Sequence, residues 1–156
     1  MTDISNADLQ AAPMLSALGQ YIKDLSFENP NAPRSLSQQD QSPNINISVN
    51  VNARPIADQD FEVELALSGQ AGEGANTVFR FDLKYAGIFR IQNVPSEAIQ
   101  AVVMIECPRL LFPFARQIVA DCVRNGGFPP LFIDPIDFAG LYRQRMEQQA
   151  PNGGMN

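Results

Sequence analysis

The sequence predicts an α+β chain in which a four-stranded antiparallel sheet is followed by helices. Three observations carry that expectation. Four consecutive runs between about residues 19 and 91 alternate apolar and polar side chains with period two, as strands do when one face is buried and the other wet. After Pro95 the apolar period becomes helical. No βαβ alternation appears, which argues against a parallel, doubly wound sheet.

Residues 1–17 are rich in Ala, Asn and Asp and weakly periodic, so a flexible N-terminal arm is expected there. Residues 18–148 form one domain, and 149–156, ending PNGGMN, form a disordered tail. The first strand, about Gly19 to Glu28, sets Tyr21, Lys23, Leu25 and Phe27 against Ile22, Asp24, Ser26 and Glu28. It stops at Asn29-Pro30-Asn31-Ala32-Pro33, because proline cannot donate to a ladder. A polar connection, 29–43, suits a crossover. In the second strand Ile45, Ile47, Val49 and Val51 alternate with Asn44, Asn46, Ser48, Asn50 and Asn52. The third sets Phe61, Val63, Leu65 and Leu67 against Glu62, Glu64, Ala66 and Ser68. The fourth sets Phe79, Phe81, Leu83 and Tyr85 against Val78, Arg80, Asp82 and Lys84, and extends towards Ile91 with a bend or bulge at Gly87. Links at 53–60 and 69–76 are hairpin-sized.

Ser96 is placed to cap a first helix, with Glu97 in its first turn and Ala98, Ile99, Val102, Val103 and Ile105 at helical spacing. Pro108 is expected to interrupt it. A second helix, about Leu110 to Arg124, carries an apolar stripe of Leu111, Phe114, Ala115, Ile118, Val119 and Cys122 and ends at Gly126-Gly127. Beyond a proline-bound aromatic loop, Asp137 caps a last helix bearing Phe138, Leu141, Tyr142 and Arg145.

Composition narrows the function. The 156 residues hold 11 Lys and Arg against 17 Asp and Glu, a formal charge of −6. That balance disfavours nucleic-acid phosphate and anionic lipid as partners and favours cationic protein surfaces. Histidine is absent, which removes Ser-His-Asp and Cys-His systems and every His-containing metal site. No phosphate-binding glycine pattern appears; Gly69 to Gly74 read as a hairpin loop. No catalytic residue, metal or cofactor is assigned, and an enzyme is not expected. The start lacks a signal-peptide h-region, and no apolar run approaches the roughly 18 residues of a span. A cytoplasmic location follows as the expectation, with Cys107 and Cys122 as free core thiols.

Two features exceed what a core needs. Asp24, Glu28, Glu62, Glu64 and Asp82 fall on the wet face, either as an ordinary solvated surface or as a docking site for a basic partner. Apolar residues after 104 are too many to point inward from short helices. They imply subunit contacts, an exposed groove, or both.

Tyr21 to Pro33, YIKDLSFENPNAP, closely resembles the first-strand signature of SecB, a family of bacterial protein-export chaperones. Tyr85-Ala86-Gly87-Ile88-Phe89, Cys107 to Arg116 (CPRLLFPFAR) and Gly127-Phe128-Pro129-Pro130-Leu131 are similar to further family blocks, in the same order. The likeness spans roughly residues 20 to 148. It implies a homotetramer, a dimer of dimers with helices between two eight-stranded sheets. It also implies unfolded secretory precursor proteins as clients and the SecA translocation ATPase as receiver, with no direct membrane insertion.

Carried over by position, SecA docking falls to Asp24, Glu28, Arg80 and Asp82. Arg80 departs from the apolar residue of relatives, and Gln41 from a frequent tryptophan. The client groove is expected to draw on Leu110, Phe112, Phe114, Phe128, Leu131, Phe138, Leu141 and Tyr142, some of them packing internally. Two other functions compete: a SecB-like chaperone of a toxin–antitoxin system, for which loss of Asp24 and Glu28 would speak, and an oligomeric protein binding a small apolar ligand in a closed cavity.

Overall fold

The computed structural model describes residues 12–37 and 44–149. Strands β1 (Met14–Glu28), β2 (Ile45–Ala57), β3 (Asp60–Ala71) and β4 (Phe79–Gln92) form one antiparallel sheet in the order β1-β4-β3-β2. Helix α1 (Ser96–Ala101), a π-helical segment (Val102–Glu106) and α2 (Cys107–Asn125) follow without a break, and α3 (Phe138–Gln149) ends the described chain. The α+β class, the four strands and their antiparallel pairing are as the alternation predicts. β1 and β2 occupy opposite edges, so the 29–43 connection does cross the sheet.

β1 begins at Met14, so residues 14–17 are strand rather than part of an arm. Residues 1–11 and 150–156, on which the rest of the arm and nearly all of the tail would fall, lie outside the described residues, as does Gln41.

The strict alternation expected for β1 fails. Register shifts between Ala17 and Gly19 and between Ile22 and Asp24 mark two bulges, each of which moves the downstream residues to the other face. Tyr21, paired with Ala86, therefore lies on the outer face, while Ile22, paired with Tyr85, joins Leu25 and Phe27 on the inner one. The bend assigned to Gly87 is absent from β4. Its role is close packing: a Cβ at Gly87 would lie 2.8 Å from Phe89 Cε2 and 3.1 Å from Leu111 Cδ2.

β2 runs on to Ala57, leaving only Asp58 and Gln59 to turn into β3, with Gln59 at φ 66°. Pro55 is tolerated because β2 is an edge strand. On β3 and β4 the predicted faces hold. Val63, Leu65, Leu67 and Phe89 are fully buried against Leu111, Ala115, Val119 and Val123 of α2. Each such side chain contributes about 1.5–3 kcal/mol on removal from water.

Pro108 does not break the helix. The Cys107 N–H donates to Val102 O, five residues back. The wider π turn relieves the clash and the missing donor that a proline imposes on an α-helix. The result, Ser96–Asn125, is long and apolar enough to cross a membrane by length and composition alone. Its buried stripe, Cys107, Leu111, Ala115, Val119 and Val123, packs on the sheet instead. Phe114, assigned to that stripe, points away from it and is 52% exposed. Pro95 rather than Ser96 is the N-cap of α1, with no side-chain cap bond.

At the far end Gly127, at φ 95°, takes the left-handed conformation that glycine favours. Phe128 N donates to Val123 O and Gly127 N to Arg124 O, a Schellman closure. Asn29 Nδ2 donates to Gly126 O at 2.9 Å, and Asn31 Nδ2 to Ala75 O and Thr77 O. The two asparagines of the proline-rich segment thus tie the crossover to the end of α2 and to the β3–β4 loop. Asp137 caps α3 as predicted, its Oδ1 accepting from Gly140 N at 3.0 Å. Cys107 and Cys122 are free, and burial pushes the Cys107 thiol up to about 12.

Candidate functional surfaces

The outer face of the sheet collects the charged positions. Glu28 pairs across strands with Arg80, Ser26 with Asp82, and Asp24 with Lys84. Because directly opposed residues share a face, Asp24, Glu28, Arg80 and Asp82 lie together, all exposed. Arg80 Nε is 3.1 Å from Glu28 Oε2. Further along, Arg90 forks onto Asp60 at 2.8 and 3.0 Å, and this guanidinium holds the Asp60 carboxyl below the usual carboxylate range.

Glu62, expected on the wet face, is instead buried and fully engaged. Its carboxylate accepts from the Tyr21 hydroxyl, from Lys23 Nζ at 2.9 Å and from Arg54 Nε at 3.0 Å. The Tyr21 and Lys23 hydrogen bonds outweigh the opposing cost of burial and hold Glu62 at about 2. Burial, then the bond to Glu62, pushes Tyr21 up to about 12. Sequence alternation located the face of Glu62 but carried no sign of its three partners, two from the β1 edge and one from the β2 edge.

On the helix side an open trough runs between the β2 edge, the π segment and α3. Two adjoining hollows of about 400 and 300 Å³ share Met104, Tyr142 and Arg145. Val49, Val51, Phe61, Ile99, Val103, Leu141 and Met146 are among the other apolar side chains that line it. Arg145 Nη1 donates to Val51 O at 2.6 Å, so a β2 carbonyl faces the open edge and is within reach of a donor from the trough.

The expected groove residues divide. Leu141 and Tyr142 line the trough. Leu110 and Phe114, one turn apart on α2, are 46% and 52% exposed but lie elsewhere. Phe114 stacks on Tyr85 with ring centroids 6.3 Å apart, beside the exposed Ile22 and Leu25 of β1. The other four pack internally. Phe112 and Phe138 are buried and meet edge-on at 6.2 Å, Phe128 lies 5.3 Å from Phe79, and Leu131 packs against the core. Met104, Arg145, Met146 and the β2 valines, which line the trough, are not among the residues expected from sequence for a groove. Their signal was positional: β2 is an edge strand, a fact that period alone does not carry.

The sequence model for SecB, described as preprotein translocase subunit SecB, matches residues 8–149. A protein-export protein SecB of Methylocella silvestris is 63% identical over 148 residues, covering 95% of this chain and 92% of the relative. Those of Beijerinckia indica and Azorhizobium caulinodans are 64% and 65% identical, covering 89% and 90% of this chain and 87% and 88% of the relatives. Among solved structures, the SecB-like chaperone of Mycobacterium tuberculosis, in complex with a ChAD peptide from the HigA1 antitoxin, superposes with a TM-score of 0.64. It covers 83% of this chain and 95% of its own at 16% identity, a likeness of fold.

Proposed function

This chain belongs to the SecB family of protein-export chaperones, and on that premise we propose that it holds unfolded secretory precursors in the trough beside β2 and passes them to SecA. The trough is the observation that carries the reading. It is open, its lining mixes apolar side chains with asparagine, glutamine and arginine, and methionine side chains adapt to many sequences. It also borders the β2 edge, the kind of strand edge to which an extended peptide adds, once Arg145 releases Val51 O. Many weak contacts along such a trough add up, at about 25 cal/mol per Å² before ordering costs. Slow-folding precursors, whose apolar segments stay exposed longest, are the clients such a surface selects.

The exposed carboxylates Asp24, Glu28 and Asp82 support the outer face as the place where a basic segment of SecA docks, on the side of the sheet away from α2. Ile22, Leu25, Leu110 and Phe114 form an apolar surface suited to contact with further copies of the chain, in keeping with a homotetramer built as a dimer of dimers. The cytoplasm, where precursors and SecA meet, is the proposed location. Neither holding nor docking calls for a catalytic residue or a cofactor. The export relatives share 63–65% identity and the antitoxin-linked chaperone 16%, so export is favoured over a toxin–antitoxin role. The test is titration of a denatured precursor with wild type and with Met104→Asp. Charge in the trough should weaken client binding at least tenfold while native mass holds, with some loss of unfolding midpoint because Met104 also packs on the core. Unchanged client affinity would place the groove elsewhere.

A further inference from the structure

The carboxylates of the outer face are not equivalent. Glu28 is engaged by Arg80, its direct cross-strand partner, with 3.1 Å between Nε and Oε2. Asp24 faces Lys84 across β1 and β4. Asp82 has hydroxyls as its direct cross-strand neighbours, Ser26 on β1 and Ser68 on β3, and lies between Arg80 and Lys84 on the same face of β4, where neither forms an ion pair with it among the described residues. Three carboxylates thus stand against two cations on the strip that the proposed docking uses. The Arg80 and Glu28 side chains are 50% and 58% exposed, so their ion pair opens to solvent without any movement of the backbone.

We propose that Arg80 is a built-in competitor for the basic segment that docks on this face. It occupies Glu28 in the free chain, so docking exchanges an internal guanidinium for a cation of the partner. Asp82, which forms no ion pair among the described residues, meets the partner's cation without such an exchange. The inference rests on the reading of the outer face as the SecA-docking surface. An exposed ion pair is weak, and its release costs little, so the effect is a tuning of affinity rather than a block. Arg80 also subtracts charge from the field that steers a cationic partner, which lowers the rate of encounter in the same direction.

The experiment titrates purified SecA against wild type, Arg80→Leu, Arg80→Gln and Asp82→Asn at low and high salt, with denatured-precursor affinity measured in parallel. Both Arg80 variants should bind SecA about two- to fivefold more tightly at low salt, the range that opening one exposed pair allows. The gain should shrink at high salt through screening, and precursor affinity should not move. Asp82→Asn should bind SecA more weakly. Weaker binding on Asp82→Asn with unchanged or weaker binding on both Arg80 variants overturns the competitor role and leaves the docking face standing. No effect of any variant, or no binding by wild type, overturns the docking face and the competitor together.

Discussion

Tyr21 on β1 donates its hydroxyl hydrogen to the Glu62 carboxylate on β3, reaching over β4, where its own cross-strand partner is the fully buried Ala86. Strands lie about 4.8 Å apart, so the contact spans two strand spacings, which only a long side chain over a small one achieves. Arg54 of β2 reaches the same carboxylate from the other edge. One buried acid therefore ties both edge strands to the centre of the sheet.

This network sets a pH dependence. Glu62 is held at about 2 against 4.5 unfolded, so its stabilisation is present above about pH 4.5 and is lost as pH falls towards 2. Tyr21 is raised to about 12 from 10, so its contribution is complete below pH 10 and fades as pH climbs towards 12. Glu62→Gln should cost about 1.5–3 kcal/mol at pH 7, the scale of a hydrogen bond to a charged group. It should also flatten the acid limb between pH 4.5 and 2. Urea unfolding midpoints across that range check both.

Phe138 and Tyr142 should separate stability from binding. Phe138 is 2% exposed and seated on Phe112, so Phe138→Ala should cost about 3–5 kcal/mol in unfolding free energy. Tyr142 lines the trough, and Tyr142→Ala should lower precursor affinity with less than about 1 kcal/mol lost in stability, as is usual away from the core. Denaturant melts and precursor titrations of both variants supply the comparison.

Gly87→Ala should destabilise by about 1–3 kcal/mol, the usual cost of overpacking. The added methyl meets Phe89 and Leu111 at 2.8 and 3.1 Å. The thermal midpoint reads the effect, and Gly19→Ala, where nothing lies within 4 Å, is the control.

Charge placed on the exposed apolar surface should break self-association. Leu110→Asp with Phe114→Asp leaves the buried stripe of α2 untouched and should lower the native mass from about four times 17.1 kDa. Sedimentation at micromolar concentration decides it. A wild-type monomer would remove the proposed assembly.

The fold was legible where one face is buried and strands are regular. Val63, Leu65 and Leu67 on β3 and Phe79, Phe81 and Leu83 on β4 lie where alternation put them. β1 misled because its two bulges break the period, and nothing in Tyr21-Ile22-Lys23-Asp24 announces an extra residue. Pro108 misled because a π turn absorbs a proline that an α-turn would reject. The proposed docking positions came from resemblance, and the register sets Asp24, Glu28, Arg80 and Asp82 on one face. The trough was the least legible part. Whether an aromatic residue after Leu110 packs inward or faces out depends on how α3 lies on the β2 edge, and local spacing does not encode that.

Docking and holding should separate by mutation. Asp24 and Glu28 lie on the outer face, and the trough on the helix side. Asp24→Ala with Glu28→Ala should weaken SecA binding several-fold and lessen its salt dependence, while affinity for a denatured precursor stays near wild type. Parallel titrations at two salt concentrations measure it.

The most direct measurement is the affinity of the wild-type protein for one secretory precursor in its denatured and in its folded form, with chelator present and nucleotide absent. Tight binding of the denatured form, slowed refolding of the bound precursor, and no binding of the folded form are the predicted result. Equal affinity for both forms, or binding that disappears with the chelator, would contradict an export chaperone that acts through the trough alone.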